Sequence, residues 1–428
     1  LAVLLLFAAL FTIGSLISSW QLEAELDKIR AADQPVTMED LDAFRGYPSK
    51  DRDATELWRA AFGVLDSPDY QSDAKALPCL GEIAPRPGEP WPQFDAAEAF
   101  LAQYREPLEK LHRASELGGD ARFPISFSDV SMPLPHLQLD NAVRLLKLES
   151  EVRVHRNDAP GAVESVRAIL AAGRGLERYP FLYPQLVRMA MNGAGCSQIE
   201  RLLSTFELSE QDLIRLDGDL AAIDEAAAFR RGLLGQRAYG IYAFGNPSAL
   251  GPDAPAMSSW GALRTVDETA YLQVMAKYIA ATESSSLPLR DAIAQTRDEV
   301  TAIMDSPSAR WRYPLTRLLA PSLEESRQPS LHESMDSICR AQAEQATTRS
   351  AIAIERYRRV HGEAPEKLDQ LVPEFLDQPP VDPFDGAPLR YRVDAGGYKV
   401  YSIGPDGIDQ GGESGAEGQS PDIVFQVP

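Results

Sequence analysis

Cysteine is nearly absent from this chain. Its 428 residues hold three, Cys79, Cys196 and Cys339. They are far apart, make no C-x-x-C pair and no zinc spacing, and an odd number cannot be fully paired within one chain. Histidine is scarce as well. His112, His136, His155, His332 and His361 show no metal-pair spacing. Familiar catalytic signatures are missing: there is no H-E-x-x-H, no G-x-S-x-G, no phosphate loop and no dinucleotide fingerprint. Positive charge is in deficit, with 42 Lys and Arg against 63 Asp and Glu, a net charge of −21 and an isoelectric point near 4.7. Such a surface repels nucleic-acid phosphates, so no nucleic-acid partner is expected.

What is present begins with residues 1–20, LAVLLLFAALFTIGSLISSW, which carry no charge. As a helix they span about 30 Å, the thickness of one hydrocarbon core. Trp20 falls where interfacial aromatics belong. The apolar core of a cleaved signal peptide is shorter, about 7–15 residues. The stretch therefore reads as a retained transmembrane anchor. Glu23, Glu25 and Asp27 follow it with only Lys28 and Arg30, which is not the basic flank of a cytoplasmic side. The expectation is a single-pass protein of the inner (cytoplasmic) membrane, its bulk on the periplasmic side.

The fold expected is mainly α. Residues 21–52 read as a stalk, with a short helix capped at Thr37 and Asp40. Residues 53–329 read as a body of antiparallel helical hairpins. Its helices are expected at 53–66, from Asp95 onward with a division at Pro107, and at 137–157, 159–177, 184–205, 209–234, 265–284, 287–305 and 308–320. Asp158-Ala159-Pro160 and Ser209 with Asp212 are start signals; Gly175 and Gly193 punctuate. Pro68, Pro78, Pro85, Pro87, Pro90 and Pro92 mark 67–94 as an extended loop. Residues 236–262 read as a second loop, rich in Tyr239, Tyr242, Phe244 and Trp260, folded onto the body or forming a binding lip. Arg230, Arg231 and Arg237 form a local basic cluster, suited to internal ion pairs or to an anion. No 34-residue repeat is present.

Residues 330–428 form the module around which the chain is organised. Ser330 and Glu333 fit a capping box. A long helix follows, with Arg356, Arg358 and Arg359 in its last turns and Gly362 at the left-handed C′ position. Leu368, Leu371 and Val372 suggest one short helical turn before Pro373, and Asp382–Gly386 a turn. Strands are expected at 389–393, 398–403 and 422–427, the first two joined at Gly396-Gly397. The loop 404–421 holds five glycines besides Gly404, several acids, and no Lys or Arg.

This order of pieces resembles the soluble domain of the major pseudopilin of type II secretion systems. Tyr357 and His361-Gly362-Glu363-Ala364-Pro365 stand at the end of the long helix. Leu371-Val372-Pro373, Pro380-Val381-Asp382-Pro383-Phe384 with Gly386, Pro388 and Tyr391, Tyr401-Ser402-Ile403-Gly404-Pro405-Asp406-Gly407, Gly411-Gly412 and Asp422-Ile423 follow in order. The resemblance covers roughly 75 residues, from Tyr357 to Ile423. It implies an antiparallel sheet and a calcium ion wrapped by the last loop, with Asp406 and Asp422 giving carboxylates and Ile403 a carbonyl. A hard divalent ion takes six to eight oxygens of these kinds. Asp409 is a further candidate ligand, and Glu413 and Glu417 are weaker ones. No prepilin processing signature precedes the module and its helix is polar, so pilus assembly is not implied.

The function expected is that of an outward-facing, membrane-anchored interaction or scaffold protein, calcium-stabilised at its C-terminus, with envelope proteins as partners. The alternative is an extracytoplasmic hydrolase or ligand-binding protein that uses a groove of the helical body.

Overall fold

Residues 182–203 mix apolar and polar side chains, and the helix they form is buried except along the face of Tyr183, Ala190 and Ser197. It is the axis of the molecule. A computed structural model describes residues 2–77, 79–82, 84–127, 135–250, 261–283, 289–304, 312–319, 331–394, 397–413 and 422–428. The side chains of 2–11 and 331–335 lie outside that description.

The chain is mainly helical. In order, the helices are α1 Ala2–Ala31, α2 Met38–Phe44, α3 Thr55–Leu65, α4 Pro68–Ala76, α5 Phe94–Gln103, α6 Arg105–Glu116, α7 Pro135–His155, α8 Ala159–Glu177, α9 Leu182–Leu203, α10 Glu210–Ala221, α11 Glu225–Gly245, α12 Gly261–Ala281, α13 Leu289–Met304, α14 Pro314–Leu319 and α15 Leu331–His361. Three strands, β1 Arg390–Asp394, β2 Gly397–Ser402 and β3 Ile423–Val427, form one antiparallel sheet in the order β1-β2-β3. Tyr391 pairs with Val400, and Val400 with Phe425.

Local chemistry explains most boundaries. Thr37 and Asp40 close a reciprocal capping box on α2. Asp158 accepts from the Gly161 amide and Ser209 from the Asp212 amide, capping α8 and α10. Gly362 takes φ +82° after α15. Leu368–Leu371 is one 3₁₀ turn. The expected Ser330 cap lies outside the described residues.

Four expectations are corrected. The proline-rich 67–94 is not all loop, because Ser67 caps α4 and Pro68 occupies its first turn, where a missing N–H costs nothing. Asp95 is not a cap; it lies in the first turn of α5. The expected helix 209–234 is two helices, divided where Asp224 accepts from the Ala227 amide and starts α11. That helix then runs to Gly245, so the first third of the expected aromatic loop is helical. Residues 251–260, Trp260 included, lie outside the described residues.

Gly175 and Gly193 do not punctuate either; they lie inside α8 and α9. A Cβ on Gly193 would stand 2.6 Å from the Glu344 carboxylate of α15. Gly193 thus leaves room for the Glu344 side chain between α9 and α15.

Three apolar clusters hold the molecule. The first packs Trp58, Phe62, Phe100 and Leu111 on Leu146 and Ile169. The second joins Phe229, Tyr271, Met275 and Val300 to Ile338, Phe384 and Ile403. The third joins Val166, Ile199 and Leu216 to Ile352, Tyr398, Val400 and Phe425. The last two run from the helical body straight into α15 and the sheet.

The N-terminal helix divides along its length. Leu22, Leu26 and Ile29 pack on the second cluster. Ser18 bonds Thr265 at 2.8 Å, and Gln273 donates to Glu25 at 3.2 Å, so α1 and α12 run parallel. Ile13, Leu16, Ile17 and Trp20 are 53%, 66%, 52% and 76% exposed. Their spacing puts them on one helical stripe. Among the described residues no helix is long and apolar enough to cross a membrane, and half of the expected anchor falls on side chains outside the description.

Candidate functional site

The acidic loop curls because glycine permits it. Gly404, Gly407, Gly411 and Gly412 take φ between +65° and +76°, a region open to glycine and strained for side chains with a Cβ. The curl folds the loop onto the start of β3.

Asp422 is its clamp. The residue is 5% exposed, and its carboxylate accepts from the Gln410 amide at 3.1 Å and the Gly412 amide at 2.7 Å. Burial pushes its carboxyl up from the ordinary value; Asp409 and Asp406 add to this, and the two amides oppose it. Asp406 is exposed, caps its own turn through the Ile408 amide, and accepts from Gln410 Nε2 at 2.6 Å. Asp409 is exposed, accepts from the Gly411 amide at 2.8 Å and stands 4.0 Å from Arg390. Ile403 is buried and its amide donates to Asp382 at 2.9 Å. Glu413 is exposed, and Glu417 lies outside the described residues.

Gln410 thus links Asp406 to Asp422. Its Oε1 is buried and accepts no hydrogen bond. The sequence pattern of acids and glycines gave no signal for it. Among the described residues no group of three or more His, Cys, Asp or Glu side chains is placed to hold a metal. Two cations also compete for the loop's carbonyls: Arg392 donates to Gly411 at 3.2 Å and Lys399 to Gly412 at 3.3 Å.

Beneath the loop lies Asp382, fully buried. Its carboxylate accepts from Phe384 N, Ile403 N, Ser402 Oγ and Arg390 Nη1, at 2.7–3.0 Å. It ties the 382–386 turn, β1 and the start of the acidic loop into one unit. Sequence reasoning saw a turn residue here and missed the hub.

The helical body carries two clefts. One, of about 490 Å³, lies between α5, α6 and α7 and is lined by Leu101, Leu108 and Val152 together with His112, Glu149 and Arg153. Glu149 is 7% exposed; it takes His112 Nε2 at 2.7 Å, Arg153 at 2.6 Å and Ser165 Oγ at 2.8 Å, and these partners hold its carboxyl below the ordinary value against the opposing effect of burial. The other, of about 290 Å³, lies between α9, α15 and β3. Glu200, Glu344 and Asp422 face it with Arg340, and burial pushes the carboxyls of Glu200 and Glu344 up.

Tyr239, Tyr242 and Phe244 of the expected second loop line neither cleft. Phe244 is fully buried, and Tyr239 and Tyr242 pack on Phe127. The basic cluster is mostly paired: Arg230 meets Glu283, and Arg231 meets Glu177. Compared with known proteins, the chain matches no family model, no curated protein and no solved structure.

Proposed function

We propose that this chain is a single-pass, membrane-anchored scaffold whose helical body faces the extracytoplasmic side and whose C-terminal loop binds calcium. The observation that carries the reading is the bare stripe of Ile13, Leu16, Ile17 and Trp20. It continues an uncharged N-terminal stretch, on a helix that docks to the body through its other face at Ser18, Leu22, Leu26 and Ile29. Lipid is the solvent that suits such a stripe. The acid-rich flank favours an outward orientation.

The calcium part rests on donor chemistry. Asp406, Asp409, Asp422 and the unpartnered Gln410 Oε1 are all hard oxygen donors in one curled loop, and they would hold the ion. The ion would relieve the repulsion that Asp422 feels from Asp406 and Asp409. The order of strands and loop agrees with a pseudopilin-like module. Envelope proteins are the proposed partners of the body.

A second reading has one observation in its favour. The cleft at His112 and Glu149 is a groove of the helical body with an ionised carboxylate at its wall, as a ligand-binding protein or hydrolase requires.

The test of the calcium assignment is thermal unfolding of the full chain in detergent, with calcium and with excess chelator. A metal held only by the folded form raises Tm by mass action. Calcium should raise Tm in the wild type, and Asp422→Asn should abolish the response. Identical melts in calcium and chelator remove the metal from the proposal.

A further inference from the structure

Among the described residues, the buried guanidinium groups are paired, with one exception. Arg188, 2% exposed, meets Glu225. Arg45, 3% exposed, meets Asp42 and the carbonyls of Arg178 and Phe123. Arg174, 8% exposed, meets Asp219 and the carbonyl of Gly118. Arg237, on α11, is 2% exposed and has one neutral partner, Gln34 Oε1 at 2.9 Å. Its Nε and Nη2 donate to nothing, and no carboxylate pairs with it among the described residues.

The surroundings offer no relief. Arg237 faces the turn between α1 and α2, where Pro35 and Val36 are buried. Tyr271 of α12 is fully buried near it, but the Tyr271 hydroxyl donates to the Gln236 carbonyl at 2.7 Å. Arg230 is close enough to add repulsion. Burial pushes the guanidinium down to about 10, so it stays protonated at neutral pH. A charge enclosed with unpartnered donors on two of its nitrogens is costly unless a counter-charge reaches it. Water answers the donors but not the charge.

We infer that Arg237 is the core of an internal anion site, which takes a small inorganic anion of the halide class between α11, α12 and the α1–α2 turn. Nε and Nη2 of Arg237 are its donors. Enclosure selects for size: an anion held beside a side chain only 2% exposed has no room for an organic tail. The net charge of −21 disfavours loose anion binding elsewhere on the surface.

The experiment is thermal unfolding of the full chain in detergent, titrated with sodium chloride against sodium gluconate at constant ionic strength. Gluconate is too large to be enclosed. A saturable rise of Tm in chloride is expected, lost in Arg237→Met. Equal melts in the two salts overturn the site, as does a chloride response in Arg237→Met that equals the wild type's. If that variant fails to fold, crystals of the wild type grown in bromide decide. An anomalous peak within hydrogen-bond distance of Arg237 Nη2 supports the site, and no peak there overturns it.

Discussion

Asp382 shows what a single residue does here. A fully buried carboxylate with four donors, one of them a guanidinium, is stable only while all of them stay. Asp382→Ala removes the buried partner of Arg390 and frees the amides of Phe384 and Ile403, and should cost about 3–5 kcal/mol. Asp385→Ala removes a partly exposed partner of the same Arg390 and should cost under about 1 kcal/mol. Urea unfolding of the two variants checks the contrast. The same scale sets the pH response. Burial pushes Asp267 up to about 6 and Glu268 up to about 7, from 3.8 and 4.5. The folded state then holds these protons after the unfolded chain has released them. Their contribution is most favourable below the unfolded values and is lost as pH rises towards the folded ones. Asp267 is kept from rising further by the Leu315 and Thr316 amides, whose helix α14 it caps. Glu268 is opposed only by the more distant charge of Arg264. Glu268→Gln should therefore flatten the fall in stability between pH 5 and pH 8 and gain up to about 2 kcal/mol at the upper end. A variant curve parallel to that of the wild type contradicts this. Neither the hub role of Asp382 nor the burial of Glu268 was legible in the sequence, since both depend on how separate segments fold together.

Elements were read better, for a physical reason. Helix starts rest on side chains within three residues of the amide they satisfy. Thr37, Asp158 and Ser209 could therefore be read directly, and so could Gly362 at the end of α15. The three strands were visible from alternation and fall within one residue of their expected bounds. The errors have one source: prolines and glycines were weighed above the caps beside them. Pro68 is a helix starter behind Ser67, and Gly235 and Gly240 are contact points inside α11 rather than a break. A Cβ on Gly235 would run into the Pro180 carbonyl. Asp224 was overlooked between two apolar runs. Its cap is the reason 209–234 is two helices, so Asp224→Ala should cost about 1 kcal/mol. Asp224→Ser, which keeps a capping oxygen, should recover most of it. Thermal melts of the pair test the assignment.

At the scale of the molecule, the module and the body share their apolar cores. Ile352, Tyr398 and Phe425 pack with Val166 and Leu216. Losing the sheet would uncover α15 and α9, so the calcium response should appear in one cooperative transition rather than in a separate melt of the tail. The exposed stripe of α1 belongs to this scale as well. Replacing Ile13, Leu16, Ile17 and Trp20 together by Ser should leave the body's melting temperature within about 2 °C, since none of them packs on it. The same change should release the protein from membranes under carbonate washing. Retention of the variant in the membrane fraction argues against attachment through this face.

The sequence by itself determined where most helices and strands lie, how they are capped, and that one loop gathers acids and glycines. These properties act through neighbours a few residues apart, so they are written locally. Only the tertiary structure decided the rest. It gave Asp382 its four donors and made Asp422 a clamp on Gln410 and Gly412. It paired Arg230 and Arg231 with distant acids, and among the described residues it left Arg237 enclosed without one. Burial and charge pairing are set by which distant segments meet, and one chain read in order does not contain that information.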